Sequence, residues 1–465
     1  MENTYNDLIQ QTFDFPQEGF NVIEDELHFY EIPLMEIIKQ YGTPLKISYL
    51  PKISAQIQKA KKLFNVAIAK ADYKGKYTYC YCTKSSHFSF VLEEALKNDI
   101  HLETSSAFDV PLVRALYTAG KISKDIYILN NGYKRPAYLK YISELVNDDF
   151  VNAIPILDNK NELAQLEKLC KKKFKVGIRV ATDEEPKFEF YTSRLGIRQA
   201  DIIDYYHTHI KKSEKCELKM LHFFINTGIK DTTYYWTELT KCINAYCDLK
   251  KVCPSLDSLD IGGGFPIRTS LGFNYDYDYM ADEIIQKIKN VCKERKVKEP
   301  HIFTEFGSFT VGESGAILYS IVDVKKQNDN ELWYMIDSSF ITTLPDTWGI
   351  KQKFILLAIN YWDKESQRVN LGGLTCDSED YYNGESHLNQ VYMPVIEEKQ
   401  KEPLYLGFFH TGAYQESLGG YGGIQHCLIP APKHVIIDRD EEGEITTRLF
   451  AKEQSYQSMM KTLGY

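Results

Sequence analysis

The dominant feature of the sequence is a repeated alternation of short β-rich apolar runs with longer amphipathic segments, between about residue 45 and residue 312. Segments such as SFVLEEALKN, NELAQLEKLCKKK and YYWTELTKCINAYCDLKK carry apolar residues three and four apart, which is typical of helices. The runs that precede or follow them are KYTYCYCT, IHLETSS, IYILNN, AIPIL, KVGIRV, LKMLHFFINT, SLDIGGG and IFTEFG. Eight such units predict an α/β fold, a (β/α)8 barrel over residues 45–314, with an open doubly wound sheet as the alternative.

The sequence pattern changes after about residue 315. From there on, β-rich runs are separated by turns, and few long helical segments occur. Examples are AILYSIVDVKKQ, LWYMIDSSF, VNLGGLTC, PLYLGFF and HVIIDRD. This pattern predicts a second, mainly antiparallel β-domain over residues 315–465. Residues 1–44, with ELHFYEIPLMEIIKQYG, read as a short strand and helix that we assign to packing on the β-domain, although the pattern allows either domain.

Composition excludes several classes of protein. The net charge of -9 and the interspersed lysines and acids argue against nucleic acid as a partner. No window approaches the roughly 18 apolar residues of a membrane span, and the N-terminus lacks the pattern of a secretory signal. The ten cysteines are scattered without zinc spacing, so we expect reduced thiols, a cytoplasmic location and no metal.

Chemically active side chains follow most of the predicted barrel strands. Functional groups of such barrels gather at the carboxyl ends of the strands, because the loops there converge over one mouth. The residues found there are Lys84, Glu103, Ser105, Ser106, Asn130, Asn131, Arg179, His222 to Thr227, Gly262 to Gly264, and Glu305.

The stretch DIGGGFP points to a phosphate, because three glycines leave backbone N–H groups free to surround an anion. Together with the amine of Lys84, it suggests a phosphorylated aldehyde held as a Schiff base, and pyridoxal 5′-phosphate fits that description. This cofactor needs an acid at its ring nitrogen. Glu305 is the candidate, and Glu313 is a competitor that lies eight residues further on.

The motifs YCTKSSH, LDIGGGFP, TEFGSF, LTCDSEDYY and TGAYQ together resemble those of the fold-type III pyridoxal-phosphate decarboxylases of basic amino acids. The resemblance implies an alanine-racemase-type barrel and extends from YGTPLKISY to GAYQ. It implies that Lys84 carries the cofactor, that Glu305 faces the pyridine nitrogen, and that Cys376 returns a proton to Cα after CO2 leaves. Asp377 would bind the distal cation of a small basic amino acid.

The same resemblance implies a homodimer with shared active sites, because Cys376 and Asp377 enter from the second subunit in that family. The cofactor-binding candidates are Lys84, Glu103, Arg179, Phe224, Thr227, Gly262, Gly263, Gly264, Glu305 and Tyr414. The sequence departs from the family at two positions. Phe224 stands where the family has a histidine stacked on the cofactor, and Ser308 stands where it has a phosphate-binding arginine.

The segment SSFITTLPDTWGI resembles the arginine-specific branch, and Asp346 would be a second carboxylate for the substrate. We therefore expect decarboxylation of arginine to agmatine and CO2, feeding polyamine synthesis. The alternatives are a decarboxylase of ornithine, lysine or diaminopimelate, and a catalytically silent regulatory homologue. LTCDSED argues against a racemase, and an enzyme of sugar phosphates would leave the C-terminal motifs unexplained.

Overall fold

The computed structural model describes residues 4–182, 193–382, 391–397 and 399–465. The chain divides into two compact units. The barrel unit comprises residues 53–266 and 275–310, and the β unit comprises the chain up to residue 52 together with residues 267–274 and 311–465.

The barrel unit contains eight parallel strands in sequence. Their bounds are Tyr77–Cys82, His101–Thr104, Ile128–Asn130, Ala153–Leu157, Phe174–Ala181, Cys216–His222, Ser258–Asp260 and His301–Phe306. Each strand pairs in parallel with the next, and the eighth pairs with the first, so the sheet closes on itself. The short strand Ile197–Arg198 adds to the fifth barrel strand. The predicted barrel is confirmed, and the open sheet is ruled out.

Helices follow the strands as the amphipathic pattern predicts. Two of the longer ones begin with a side-chain cap: Thr232 accepts from the N–H of Tyr235, and Asp276 accepts from that of Tyr279. The α-helices of this part of the chain are Leu50–Lys70, Ser89–Leu96, Asp109–Thr118, Pro136–Asn147, Glu162–Leu169, Gln199–Thr208, Thr233–Val252, Tyr277–Arg295 and Ser308–Val311. Short 3-10 helices are Thr83–Ser85, Ile210–Lys212 and Gly312–Ser314.

The barrel interior is filled by side chains rather than open. A buried cluster from alternating positions of five strands forms this layer, namely Cys80, Leu129, Ile154, Ile156, Met220 and Phe303. Because the interior is packed, polar side chains can reach solvent or a ligand only at the ends of the strands.

The β unit is built on a ten-stranded, mainly antiparallel sheet, as predicted. Its strands are Leu45–Tyr49, Gly315–Asn328, Glu331–Ile336, Ile355–Ala358, Ser366–Gly372, Tyr381–Tyr382, Val391–Pro394, Tyr405–Phe409, Lys433–Arg439 and Ile445–Ala451. Two of its pairings are parallel: Glu331–Ile336 with Ser366–Gly372, and Leu45–Tyr49 with Lys433–Arg439.

The N-terminal residues belong to the core of the β unit. They form a three-stranded sheet, and buried Leu34 and Ile38 of the helix Leu34–Tyr41 join one apolar cluster with Leu318 and Phe409. The small strands are Phe20–Ile23, Glu26–Phe29 and Ile32–Pro33. The helices of the unit are Tyr5–Thr12, Leu34–Tyr41, Phe340–Thr343, Pro345–Gly349, Gln415–Gly419 and Tyr456–Leu463, with a 3-10 helix His426–Leu428. Within the described ranges, no helix combines the length and apolar character needed to cross a membrane.

Candidate active site

Lys84 lies in the 3-10 turn Thr83–Ser85, directly after the first barrel strand. Its Nζ donates to Oε2 of Glu103 at 2.6 Å. The side chain of Glu103 is fully buried, whereas that of Lys84 is 41% exposed. Burial raises the pKa of Glu103, and the nearby Lys84 ammonium opposes that shift. The structure thus holds a primary amine at the strand end. The buried Glu103 carboxylate balances its charge, and part of the lysine side chain remains accessible.

A buried aspartate fastens the lysine turn to the next loop. Asp109 accepts hydrogen bonds from the Thr83 hydroxyl at 3.1 Å and from His87 Nε2 at 2.8 Å. It also accepts from the N–H groups of Ser105 at 2.9 Å and Ser106 at 2.8 Å. Burial by itself would raise the pKa of Asp109, but these hydrogen bonds lower it, so the carboxylate stays ionised. Sequence reasoning placed the two serines in the site and overlooked the aspartate that uses their backbone.

Glu305, near the end of the eighth strand, is held by two buried polar side chains. His222 Nε2 lies 3.1 Å from Oε2 of Glu305, and Asn131 Nδ2 donates to the two carboxylate oxygens at 3.3 and 3.4 Å. Burial raises the pKa of this carboxyl, but the charge and hydrogen bond of His222 outweigh burial and bring it to about 2. Glu305 is therefore a fixed negative charge inside the strand ends.

Asp260 ends the seventh strand and adds a second acid beside Glu305. One of its oxygens accepts from the N–H of Gly262 at 2.8 Å. Burial and the charge of Glu305 raise the pKa of Asp260 well above its ordinary value. The pair of acids therefore favours a single shared negative charge over two. The sequence offered a signal for Asp260, since it stands two residues before the glycine run, but it was not predicted as a site residue.

Residues 262–264 must be glycine because other backbone segments lie too close to them to leave room for a side chain. Gly262 and Gly264 have φ of +70° and +107°, in the left-handed region that favours glycine. A Cβ at Gly263 would overlap the carbonyl oxygen of Glu305, and one at Gly264 would lie 2.8 Å from Cα of Gly228. The carbonyl oxygen of Gly264 accepts from the N–H of Ile229 at 2.9 Å. The loops after the sixth and seventh strands and the end of the eighth strand therefore meet at this run.

Unsatisfied polar atoms lie in the loop that follows the sixth strand. The hydroxyl of Thr227 and both amide atoms of Asn226 are buried and have no hydrogen-bond partner within the described residues. Such groups are costly unless something bonds to them. This loop contacts the glycine run, so the Thr227 hydroxyl and Asn226 Nδ2 are donors suited to an anion. Sequence reasoning gave Thr227 a cofactor-binding role and included Asn226 only within the range His222 to Thr227.

Phe224 and Arg179 form a contact at the ends of the fifth and sixth strands. Phe224 is 38% exposed, and the guanidinium carbon of Arg179 lies 5.5 Å from its ring centroid. A Cβ at Gly262 would stand 3.4 Å from Cδ2 of Phe224, so the ring lies beside the glycine run. Ser308, at the other departure from the family, begins the helix Ser308–Val311.

Cys376 and Asp377 lie in the β unit, between the strands Ser366–Gly372 and Tyr381–Tyr382. Buried Asp380 anchors their loop, because one of its oxygens accepts from the N–H and hydroxyl of Thr375 at 3.1 and 2.7 Å. Its other oxygen accepts from the N–H of Phe340 at 2.8 Å. Cys376 itself is exposed. Asp380 belongs to the quoted motif LTCDSEDYY, yet its anchoring role was not recognised from the sequence.

Asp346 and Tyr414 lie close to one glutamine of the β unit. Gln415 Nε2 donates to Oδ2 of Asp346 at 2.7 Å, and the N–H of Asp346 donates back to Gln415 Oε1 at 3.3 Å. Burial raises the pKa of Asp346, while this hydrogen bond lowers it in part. Tyr414 precedes Gln415 with φ of +69°. The structure thus brings Asp346 next to Gln415 of the GAYQ motif, 69 residues away in sequence.

Residues 50–312 match a family model described as the pyridoxal-dependent decarboxylase, pyridoxal binding domain. The chain belongs to this family. This pyridoxal-dependent decarboxylase is similar to an arginine decarboxylase of Glycine max, with 22% identity over 90% of this chain and 75% of that protein. A biosynthetic arginine decarboxylase of Pseudomonas putida is 22% identical, over 86% of this chain and 79% of its own.

Solved structures share the fold of this decarboxylase. The biosynthetic arginine decarboxylase of Campylobacter jejuni has a TM-score of 0.81 at 20% identity, covering 99% of this chain and 90% of its own. Diaminopimelate decarboxylase of M. jannaschii, in complex with L-lysine, has a TM-score of 0.79 at 15% identity, covering 95% of this chain and 97% of its own.

The barrel residues fit the cofactor of the family, pyridoxal 5′-phosphate. The cofactor's aldehyde calls for an amine, its ring nitrogen for an acid, and its phosphate for several donors. Lys84 supplies the accessible amine and Glu305 the buried, ionised acid. The unsatisfied hydroxyl of Thr227, in the loop that contacts the glycine run, supplies a donor for the phosphate.

Proposed function

We propose that this pyridoxal-dependent decarboxylase converts L-arginine to agmatine and CO2, and that the product feeds polyamine synthesis. The observation that carries the choice of arginine is the set of curated relatives named arginine decarboxylase, which align with most of this chain at 20–22% identity. The segment SSFITTLPDTWGI, with Asp346, supports the same choice.

In the proposed site, Lys84 holds the cofactor through its ε-amino group. Pyridoxal phosphate, when bound, supplies a conjugated ring that accepts the electron pair left by the departing carboxylate. Glu305 is suited to face the ring nitrogen, because a carboxyl with a pKa of about 2 stays ionised and favours a proton on a neighbouring nitrogen. His222 and Asn131 position Glu305 for that task.

The phosphate is assigned to backbone N–H groups of Gly262 to Gly264 and to the hydroxyl of Thr227. The unsatisfied state of that hydroxyl supports the assignment. Tyr414 is assigned to the phosphate on the resemblance alone. Phe224, half-exposed beside the glycine run, offers an apolar face to the cofactor ring.

The substrate is assigned to groups of the β unit. Cys376 returns a proton to Cα after CO2 has left, and Asp377 and Asp346 bind the guanidinium. Two carboxylates suit a guanidinium, whose planar fork donates to several acceptors. Burial raises the pKa of Asp346, so a cation beside it would lower that pKa again and bind the ionised carboxylate.

The test is a substrate panel with purified protein supplied with pyridoxal phosphate. We expect CO2 and agmatine from arginine, and little CO2 from ornithine, lysine or diaminopimelate. Lys84→Ala should lose both the activity and the visible absorption of bound cofactor. An active wild-type protein that releases CO2 from another of these amino acids, and not from arginine, would overturn the choice of substrate.

A second candidate substrate is diaminopimelate, because a solved neighbour with a TM-score of 0.79 is a diaminopimelate decarboxylase. The substrate panel separates the two, since lysine would then be the amine product. Asp346→Asn gives a further distinction, because it should raise KM for arginine more than for a substrate that does not carry a guanidinium.

We also infer a homodimer with shared sites, in which Cys376 of one subunit serves Lys84 of the other. The basis is the family resemblance. Mixing Lys84→Ala and Cys376→Ala subunits should then restore about a quarter of the wild-type activity, since half of the dimers are mixed and each has one intact site. Two inactive variants that remain inactive after verified subunit exchange would contradict shared sites.

A further inference from the structure

Two cysteines of the β unit form an exposed pair. All ten cysteines lie in the described part of the chain, and eight of them are buried or half-buried. The other two, Cys376 and Cys427, are exposed, and their Sγ atoms lie 3.4 Å apart. They are 51 residues apart in sequence. Sequence spacing therefore gave no sign of this cluster, and no metal was expected.

A histidine completes the cluster. One ligand atom each from Cys376, His426 and Cys427 lies within 4.8 Å of the others. In a tetrahedral zinc site, two thiolates at about 2.3 Å from the metal are separated by about 3.8 Å. The two sulfurs are thus already near that separation, and small rotations of the side chains would bring all three ligand atoms to one ion. The carboxylate of Asp377 lies 3.8 Å from His426 Nε2 and adds negative charge beside the cluster.

The fold holds both segments of the cluster. Asp380 anchors the loop of Cys376, as described above. On the other side, Cys427 and Leu428 have φ of 52° and 54° in the 3-10 helix His426–Leu428. Two successive residues other than glycine in the left-handed region are unfavourable without support from their surroundings. Buried Gln425 supplies some of it, since its side-chain amide donates to the carbonyl of Gly419 at 3.0 Å.

We propose that Cys376, Cys427 and His426 form a binding site for one thiophilic divalent cation per chain, with Zn²⁺ as its representative. Two thiols and a neutral imidazole match the donor preference of such ions. Each thiol loses its proton on binding, so one cation replaces two protons that pass to solvent. The fourth position of the tetrahedron stays open to a small ligand.

Binding of the cation would also affect catalysis. This consequence rests on the proposed function, whereas the binding site does not. Cys376 is the proposed proton donor to Cα, and a thiolate bound to a cation cannot deliver that proton. Micromolar zinc would then inhibit decarboxylation, and a chelator would restore it.

The experiment uses full-length holoprotein, reduced with a phosphine and stripped of metal. Titration with Co²⁺ should give one equivalent per chain and the near-ultraviolet charge-transfer absorption of thiolate bound to cobalt, and Zn²⁺ should displace it. Cys427→Ser and His426→Ala should each weaken cobalt binding by at least roughly tenfold. Loss of a residue that only hydrogen-bonds to a metal ligand already costs about that much. Cys216→Ser, at a half-buried cysteine, is the matched control and should bind as the wild type does.

Activity gives a second readout. Cys427→Ser should keep the basal activity and become resistant to zinc, since the remaining thiol and imidazole bind it weakly. Equal cobalt binding in wild type and Cys427→Ser, or the lack of a thiolate band in reduced and active wild type, would overturn the site. One equivalent bound through thiolates in a protein that decarboxylates none of the four amino acids would sustain the site and contradict the proposed function.

Discussion

The barrel strand ends and the β unit hold their reactive groups in different ways. Around Glu305 the carboxylates are buried, and each has a polar neighbour: His222 for Glu305, and Lys84 for Glu103. Around Cys376 the two thiols are exposed, and the side chains that anchor their loops, Asp380 and Gln425, are buried. Buried groups are fixed and strongly shifted in pKa, and removing their partners is costly. Exposed groups can change their protonation or ligand at little cost to the fold.

The largest expected effect on stability is at His222. His222→Leu removes the partner of a buried carboxylate, so we expect the free energy of unfolding to fall by about 3 to 5 kcal/mol. Urea unfolding at neutral pH measures it. His209→Leu, at an exposed histidine, is the control and should change stability by no more than about 0.5 kcal/mol. Equal losses in the two variants would mean that the Glu305 cluster is not energetically special.

The acid limb of stability should depend on Glu305. Its pKa is about 2 in the folded protein against an ordinary 4.5. A carboxyl with a lowered folded pKa stabilises above the unfolded pKa, and that stabilisation is lost as pH falls from about 4.5 to about 2. Its size is about 3 kcal/mol. We expect Glu305→Gln to reduce the pH dependence of the unfolding midpoint between these pH values. Glu217→Gln, at an exposed acid of the sixth strand, should leave that dependence unchanged. An unchanged slope in Glu305→Gln would contradict the lowered pKa.

A smaller effect is expected at Asp109. Asp109→Asn keeps the shape but weakens or loses several of the hydrogen bonds to the lysine turn, so stability should fall by about 1 to 3 kcal/mol. Activity should fall with it, because the turn that carries Lys84 loosens. Unfolding and steady-state rates measure the two effects, with exposed Asp204→Asn as the control. Full activity in Asp109→Asn would show that the turn is held by other contacts.

The smallest effect on stability is expected at Cys376. Cys376→Ser should change the free energy of unfolding by less than about 0.5 kcal/mol, because the thiol is exposed. Cys80→Ser places a hydroxyl in the packed barrel interior and should cost about 1 to 3 kcal/mol. Thermal unfolding of the pair tests the contrast between the regions directly, and it would fail if Cys376→Ser were the more destabilised variant.

Much of the fold was predictable from local pattern. Each barrel strand is a short apolar run, and the helix after it repeats its apolar residues every three to four positions. Each strand–helix unit can therefore be recognised from its local sequence. The order of the strands follows because parallel neighbours joined by crossover helices close in sequence order. Lys84, Glu305 and the glycine run were predicted at strand ends for the same reason, and the structure places each within two residues of the end of a strand.

Other parts of the site were not predictable, because their roles depend on pairing across the fold. Asp109 reads as an ordinary acid in the first turn of a helix, and only the structure shows it accepting from two neighbouring loops. Asp260 and Glu305 are 45 residues apart, and their shared charge requires both to be buried side by side. Asn226 gave no signal beyond its place after the sixth strand, within the range His222 to Thr227.

The sequence by itself determined the succession of strands and helices, the amine and the acid at the strand ends, and the family to which the chain belongs. These are properties of local periodicity and of short motifs. The tertiary structure decided which carboxyl is ionised, how the lysine turn is fastened, and that two thiols 51 residues apart meet at the surface. Those outcomes follow from burial and distance between remote segments, which one-dimensional spacing does not encode.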